Sequence, residues 1–257
     1  MIHPTAIVSK ESNIDKDVDI GPFCIIEEGV RIEGETIIMN GVIIRKGTTI
    51  GKNNKIFPYV IIGEEPQDKS YQGENTEVEI GDGNDIREFV TIHRAVGVGK
   101  KTTLGNRNYI MAYSHIGHNA KVGNNTIIVN GATLGGYAEV GSYAYLSAYV
   151  ALHQFARVGA YAIVGGGYRV IKDVIPFALA AGEPLRIVSV NTVGLRRNNF
   201  SQKRRETIKE TFNLLFRSNL NTHQAIERIE NQMPMNEDVK LIIDFIKTSK
   251  RGIVKGG

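Results

Sequence analysis

Residues 110–158 read IMAYSHIGHNAKVGNNTIIVNGATLGGYAEVGSYAYLSAYVALHQFARV. In this stretch Ile110, Ile116, Val122, Ile128, Leu134, Val140, Leu146, Leu152 and Val158 occupy every sixth position. A spacing of six fits neither the ~3.6-residue turn of an α-helix nor the ~3.5-residue repeat of a coiled coil. Followed outward, the count begins at Ile2 and runs without a miss to Ile62. It lapses at Asp68 and Glu74, resumes at Ile80 and continues through Val98 to Val170, giving 27 aliphatic residues in 29 slots. Branched aliphatics are a minority of the chain, so chance does not produce such a run. Four places after these residues the side chain is usually small or β-branched, as at Ala6, Ser12, Val18, Cys24, Val30, Thr36, Val42, Thr48 and Val60. Glycine often follows directly, as at Gly21, Gly51, Gly63, Gly81, Gly105, Gly117, Gly123 and Gly141, where it relieves a tight corner.

Each hexapeptide therefore predicts a short strand and a turn. Three of them close a triangular coil of 18 residues, and stacked coils pair parallel strands ~4.8 Å apart. The expected fold class is mainly β: a parallel β-helix of hexapeptide repeats over residues 1–175, whose hand the periodicity leaves open. Polar residues 64–79 break the pattern and predict a protruding loop, a common carrier of binding residues. A second excursion is placed around Arg94 to Thr103. Residues 176–257 form the other expected unit. Pro176, Gly182 and Pro184 mark a connector, and helical patterns follow. Ser201 is read as an N-cap, with Ile208, Phe212, Leu215 and Phe216 on one stripe. Further helices are expected near Thr222–Gln232 and Asn236–Lys250. Such a small C-terminal α-helical domain would cover an open edge of the solenoid.

Composition agrees with layered aliphatic packing. Of 257 residues, 42% are hydrophobic but only 7% aromatic, with no Trp and 28 Gly. A net charge of +4 gives no reason to invoke nucleic acid, although it favours an acidic partner or a phosphorylated substrate. The single Cys24 excludes an intrachain disulfide framework. Met1-Ile2-His3-Pro4 lacks the start of a signal peptide, and no segment approaches the ~18 apolar residues of a membrane span. The expected location is cytoplasmic.

Packing does not explain three of the histidines. His115 precedes inward Ile116 and so points outward, and His118 falls at the corner just beyond. Stepping by one coil from His118 gives Gly136 and then Gln154, while the neighbouring column holds Gly117, Gly135 and His153. Histidines, a glutamine and side-chain-free glycines thus share one edge, with room for a ligand and exposed backbone N–H groups. His3 and His223 read as surface residues, and His93 is ambiguous. Three histidines on a β-helix raise a zinc alternative, as in the γ-class carbonic anhydrases. In that motif two ligands on one coil are separated by four residues, whereas His115 and His118 are separated by two. No metal and no cofactor is therefore expected.

The chain resembles, over its whole length, the acyl-carrier-protein-dependent UDP-N-acetylglucosamine acyltransferases that begin lipid A synthesis. The carriers are Pro-Gln-Asp at 66–68, Ile-Arg-Glu at 86–88, Thr-Ile-His-Arg at 91–94, His-Ile-Gly-His at 115–118 and Ala-Thr-Leu-Gly-Gly at 132–136. His-Gln-Phe at 153–155, Asn191 with Gly-Leu-Arg-Arg at 194–197, and Arg-Gly at 251–252 complete the set. The resemblance implies a left-handed helix, a homotrimer with its active site between subunits, and acyl carrier protein and a UDP-sugar as partners. It implies His118 as general base on the sugar 3-hydroxyl and the Gly136 N–H as oxyanion donor. Gln67, Asp68 and His115 would line the acyl or sugar region, with His153 and Gln154 close by. Asn191 and Arg197 would hold the nucleotide, and Gly166 would set acyl length.

Three departures from the family pattern stand out. Asn119 occupies a position where relatives usually carry Asp, Tyr137 follows Gly135-Gly136 where they carry His, and the loop reads Asp68-Lys69-Ser70. Asn119 and Tyr137 fall in the active site and leave a 3-amino sugar or another nucleotide sugar as alternative acceptors. An inactive scaffold is the non-enzyme reading, against which His118 and Gly136 stand in register. An amide beside the base supplies no full negative charge, so Asn119→Asp is expected to speed transfer to a hydroxyl and do little for an amine. The basic run Arg196, Arg197, Lys203, Arg204 and Arg205 is expected to serve nucleotide phosphates and the acidic carrier.

Overall fold

The inward aliphatics dictate the architecture. In the computed structural model, which describes residues 1–256, most sixth-position residues end a two-residue strand and turn their side chains into the core. The strands form three sheets of 9, 8 and 10 strands, parallel except for the last strand of the third, and these are the faces of a triangular prism. His115–Ile116 lies on the first face, Lys121–Val122 on the second and Ile127–Ile128 on the third. Each rung pairs with the rung three hexapeptides on, as where Ile26 pairs with Ile44 and Ile128 with Leu146. The fold is a left-handed parallel β-helix with C-terminal helices.

Two insertions keep the count in phase. Ile50 pairs with Ile80, two hexapeptides beyond the regular step, because the first loop leaves after Glu64 and returns at Glu77. Residues 77–79, read from sequence as loop, belong to a strand. Ile80 pairs with Leu104, one hexapeptide beyond the regular step, because the second excursion occupies the segment between His93 and Lys101. Val98 lies in it and is 81% exposed, so its place in the count is accidental.

The corners correct the reading of the glycines. The left-handed backbone falls three places after the inward residue, with φ of 63° at Tyr113, 58° at Asn119 and 59° at Tyr137. Glycine directly after the inward residue serves coil stacking instead. A Cβ at Gly117 would meet the Leu134 carbonyl oxygen at 2.6 Å, and one at Gly21 the Met39 carbonyl carbon at 2.9 Å. Corner side chains therefore stand one above another. Tyr59, Phe89 and Tyr113 stack at 5.2 and 5.1 Å along one edge, and Tyr137 on Phe155 at 4.8 Å along another.

A polar column runs through the aliphatic core. Thr36, Asn54, Asn84, Asn108 and Thr126 are all buried. The Asn54 Oδ1 accepts the N–H and side-chain amide of Asn84 at 2.9 Å, and the Asn84 Oδ1 accepts those of Asn108 at 2.9 and 3.0 Å. Each amide satisfies its neighbour, so the column specifies vertical register at little desolvation cost.

Beyond Val170 the chain does more than connect. Strand Ala178–Ala181 adds to the third face, with Leu179 beside Ile163, and Arg186–Val190 returns antiparallel to it. Four helices follow: α1 (Thr192–Arg197), α2 (Gln202–Phe216), α3 (Thr222–Gln232) and α4 (Glu237–Lys247). Ser201 caps α2 through Arg204 N–H, and Asn236 caps α4 through Val239 N–H. Helix α1 is absent from the sequence reading, and α4 stops short of the expected Lys250, at Lys247. Arg157 ties the second face to α4: its guanidinium bonds the buried Asp173 at 2.9 Å and the Phe245 carbonyl at 2.9 Å. Among the described residues no helix is long and apolar enough to cross a membrane.

Asn84→Ala removes an acceptor and donors from the middle of the buried column. It is expected to cost roughly 2–4 kcal/mol in denaturant unfolding, whereas Val98→Ser in the exposed excursion should change stability by less than about 0.5 kcal/mol.

Candidate active site

The edge between the first and second faces gathers most of the predicted residues. Gln67, Asp68, Lys69, His93, His115, His118, Gly136 and Gln154 line one cleft of about 520 Å³. The first loop folds back over the histidine edge to supply Gln67 and Asp68.

His118 is 8% exposed, and both ring nitrogens are defined by neighbours. Its Nδ1 lies 2.9 Å from the Asn119 Oδ1, and its Nε2 lies 3.6 Å from the Asp68 Oδ2. Asp68 accepts the N–H and hydroxyl of Ser70 at 2.9 and 2.8 Å. Those two donors hold its carboxyl below the usual range. The Gly136 N–H meets no protein acceptor among the described residues, while its neighbours Gly135 and Tyr137 donate to Leu152 and His118 carbonyls. A Cβ at Gly136 would collide with the His118 Nε2, so glycine lets this free N–H stand beside the ring. A base with a fixed proton on its far nitrogen, a nearby carboxylate and an open N–H donor can deprotonate a hydroxyl and stabilise an oxyanion.

His93, ambiguous from sequence, belongs to this site. Ile92 pairs with Ile116, so His93 stands over Gly117, one hexapeptide further along the chain than a regular coil would put it. Coil arithmetic finds it once that inserted hexapeptide is allowed for. Its ring meets His115 edge-on at 4.8 Å, and the His115 Nδ1 lies 2.8 Å from the Thr91 hydroxyl. Burial lowers the pKa of His93. Burial also pushes His115 down to about 4, helped by His93 and His118 beside it. Among the described residues no three His, Cys, Asp or Glu side chains converge as a metal site.

The remaining predicted residues lie elsewhere. Tyr137 meets His118 edge-on at 5.4 Å but lines a neighbouring cleft on the second face, with Asn119, Lys121 and Phe155. His153 is exposed on the histidine edge, its Nδ1 3.0 Å from the Gln154 carbonyl oxygen. Asn191 and Arg197 line a cleft of about 800 Å³ on the third face, with Tyr143, Tyr145 and Leu179. Gly166 is exposed at the corner between the third and first faces, near Ser147 of that cleft. A prism edge between two faces is opposite the third face, so one chain does not bring His118 and Arg197 together. The Asn191 side chain caps α1 through Gly194 N–H and donates to the Tyr161 carbonyl. In the basic run, Arg204 pairs with buried Asp238 at 2.7 and 2.8 Å and lies over Phe200, so its charge is already neutralised. Arg205 donates to the Phe200 carbonyl.

Comparison with known proteins gives the family. Residues 101–136 match the bacterial transferase hexapeptide model, and residues 173–254 match domain 2 of UDP-N-acetylglucosamine O-acyltransferase. Proteins named acyl-[acyl-carrier-protein]–UDP-N-acetylglucosamine O-acyltransferase from Psychrobacter sp. and Thermodesulfovibrio yellowstonii are 47% and 44% identical, over 99% of both chains. The chain belongs to this acyltransferase family. A solved UDP-N-acetylglucosamine acyltransferase from Bacteroides fragilis superposes with a TM-score of 0.97 at 39% identity, over 99% of this chain and 100% of that one.

The depressed pKa of His115 has a consequence for stability. Between pH 6.5 and about 4 the unfolded chain binds a proton that the folded chain refuses. The His115 contribution is therefore full above pH 6.5 and is lost as the pH falls towards 4. Denaturant midpoints should fall across that window, and His115→Gln should flatten that part of the curve.

Proposed function

We propose that this enzyme moves a 3-hydroxyacyl group from acyl carrier protein to the 3-hydroxyl of UDP-N-acetylglucosamine, the first step of lipid A biosynthesis, in the cytoplasm. The observation that carries the reading is the unpartnered Gly136 N–H beside the His118 Nε2. His118 Nε2 takes the hydroxyl proton as the oxygen attacks the thioester carbonyl carbon. The Gly136 N–H receives the oxyanion. Collapse breaks the carbon–sulfur bond, and the departing carrier thiolate takes the proton back from His118. Asp68, held as carboxylate 3.6 Å away, favours the imidazolium in between. The names of the relatives specify transfer to oxygen, which supports the hydroxyl acceptor over an amine.

The separation of the two clefts supports a shared site in a homotrimer. If the histidine edge of one copy meets the third face of the next, the contact is heterologous, and a closing rotation gives a ring. Gln67, Asp68, His115, His153 and Gln154 would then face Gly166, Asn191 and Arg197 of a second copy, with Tyr137 at the margin. Arg197 contributes charge to the UDP phosphates, and Asn191 shapes the wall by holding α1 in place.

With an acyl-carrier thioester and UDP-N-acetylglucosamine, His118→Ala should lose on the order of 10²-fold or more in kcat. Arg197→Ala should raise KM for the UDP-sugar. Mixing unfolded His118→Ala and Arg197→Ala chains and refolding them together should restore sites that neither variant has alone. Failure to complement, or a fully active monomer in sedimentation, would overturn the shared site.

A further inference from the structure

The chemistry above uses His118, Asn119, Gly136 and Asp68 but not the second excursion, residues 94–100. That segment reaches the base through Asn119, which is 6% exposed. The Val96 N–H donates to the Asn119 Oδ1 at 2.9 Å, and the Asn119 Nδ2 donates to the Val96 carbonyl at 3.0 Å. One residue's backbone thus offers the side chain a donor and an acceptor, and only one orientation of an amide satisfies both. In that orientation the oxygen faces the His118 Nδ1 at 2.9 Å. An acceptor there requires Nδ1 to carry the proton, which leaves the Nε2 lone pair free towards the cleft.

The excursion is itself held by the first loop. The Glu74 Oε1 accepts the Gly97 N–H at 2.7 Å, while its other oxygen accepts the Gln72 N–H at 2.7 Å. The Gly99 N–H donates to the Asn75 carbonyl, and the Glu77 N–H to the Lys100 carbonyl, both at 3.0 Å. At its far end the Thr102 hydroxyl accepts the Asn119 N–H at 2.8 Å. The same first loop carries Asp68 to the Nε2 side of the ring. The contacts close a circuit from Nδ1 through Asn119, Val96, Gly97 and Glu74 to Asp68 and Nε2.

We propose that Glu74 and the Val96 backbone are positioning elements for acyl transfer, a latch that sets the tautomer of His118 only when the substrate-binding loop is docked. The inference rests on the acyltransferase reading. It reverses one expectation drawn from sequence. A carboxylate at 119 could accept from Val96 N–H and His118, but its second oxygen would replace a donor facing the Val96 carbonyl oxygen. Asn119 is therefore matched to this excursion, and Asn119→Asp should weaken the latch rather than improve the base.

The test combines ¹⁵N NMR of the His118 ring, in the full chain at a pH where the ring is neutral, with steady-state kinetics. Wild type should show the Nδ1–H tautomer. Glu74→Ala should give a mixture of tautomers and lose about tenfold in kcat, a fraction of the whole general-base effect. Glu74→Gln, whose amide oxygen can still accept the Gly97 N–H, should recover most of that loss. Asn119→Asp should lower kcat and move the acid limb of its pH profile upward, because a new charge joins the groups already facing the ring. Those are Asp68 and Lys69 from the loop, His93 and His115 from the first face, and Tyr137 from the next coil. A wild-type tautomer and kcat in Glu74→Ala, or a rate in Asn119→Asp at or above wild type, would overturn the latch. If wild type transfers no acyl group, the functional reading fails, and the tautomer measurement still decides the latch.

Discussion

Parallel strands can stack only at the ~4.8 Å spacing that their hydrogen bonds impose, and everything else in this molecule is arranged around that distance. At that separation the backbone just past several inward aliphatics nearly touches the next coil. Glycine is admitted there because a Cβ would strike backbone, as at Gly21 and Gly117. The same closeness stacks aromatic rings along the edges and lets buried asparagines bond one another vertically. It also sets the histidine cleft. His118, Gly136 and Gln154 occupy equivalent places on successive coils, so the His118 ring and the Gly136 N–H of the next coil are held close by the stacking itself.

A solenoid gives register cheaply but offers no concavity. The molecule supplies one by interrupting the repeat at the edge where His118 stands. Both excursions leave from that edge, one carrying Gln67 and Asp68 over the cleft and the other gripping Asn119 from behind. Insertions elsewhere on the prism could not have touched both sides of the imidazole. The third face provides the other cleft, set apart from the histidine edge.

Much of the site was legible because coil arithmetic is accurate wherever the repeat is unbroken. It placed Gly136 and Gln154 with His118, and it failed for His93, where an inserted hexapeptide hides behind an unbroken count. Val98 shows the same trap from the other side: it satisfies the spacing and lies in solvent. The basic run illustrates a different limit. Five positive residues read alike in sequence, yet Arg204 is neutralised by Asp238, far along the chain on another helix, and stacked on Phe200.

The sequence by itself determined the period, the three faces, most of the inward set and the edge that gathers His115, His118 and Gly136, because each follows from local geometry repeated every six residues. It also determined the Ser201 cap of α2, which depends only on neighbours in the chain. Tertiary structure decided what depends on contacts between distant segments. The Asn119 amide is oriented by the Val96 backbone of the preceding coil, and Glu74 reaches Gly97 from the loop of the adjacent coil. Two strands join the third face where prolines suggested only a connector, because the solenoid's open end still offers unpaired backbone groups. No periodicity encodes such pairings, since they arise only when the coils have stacked and the excursions have met.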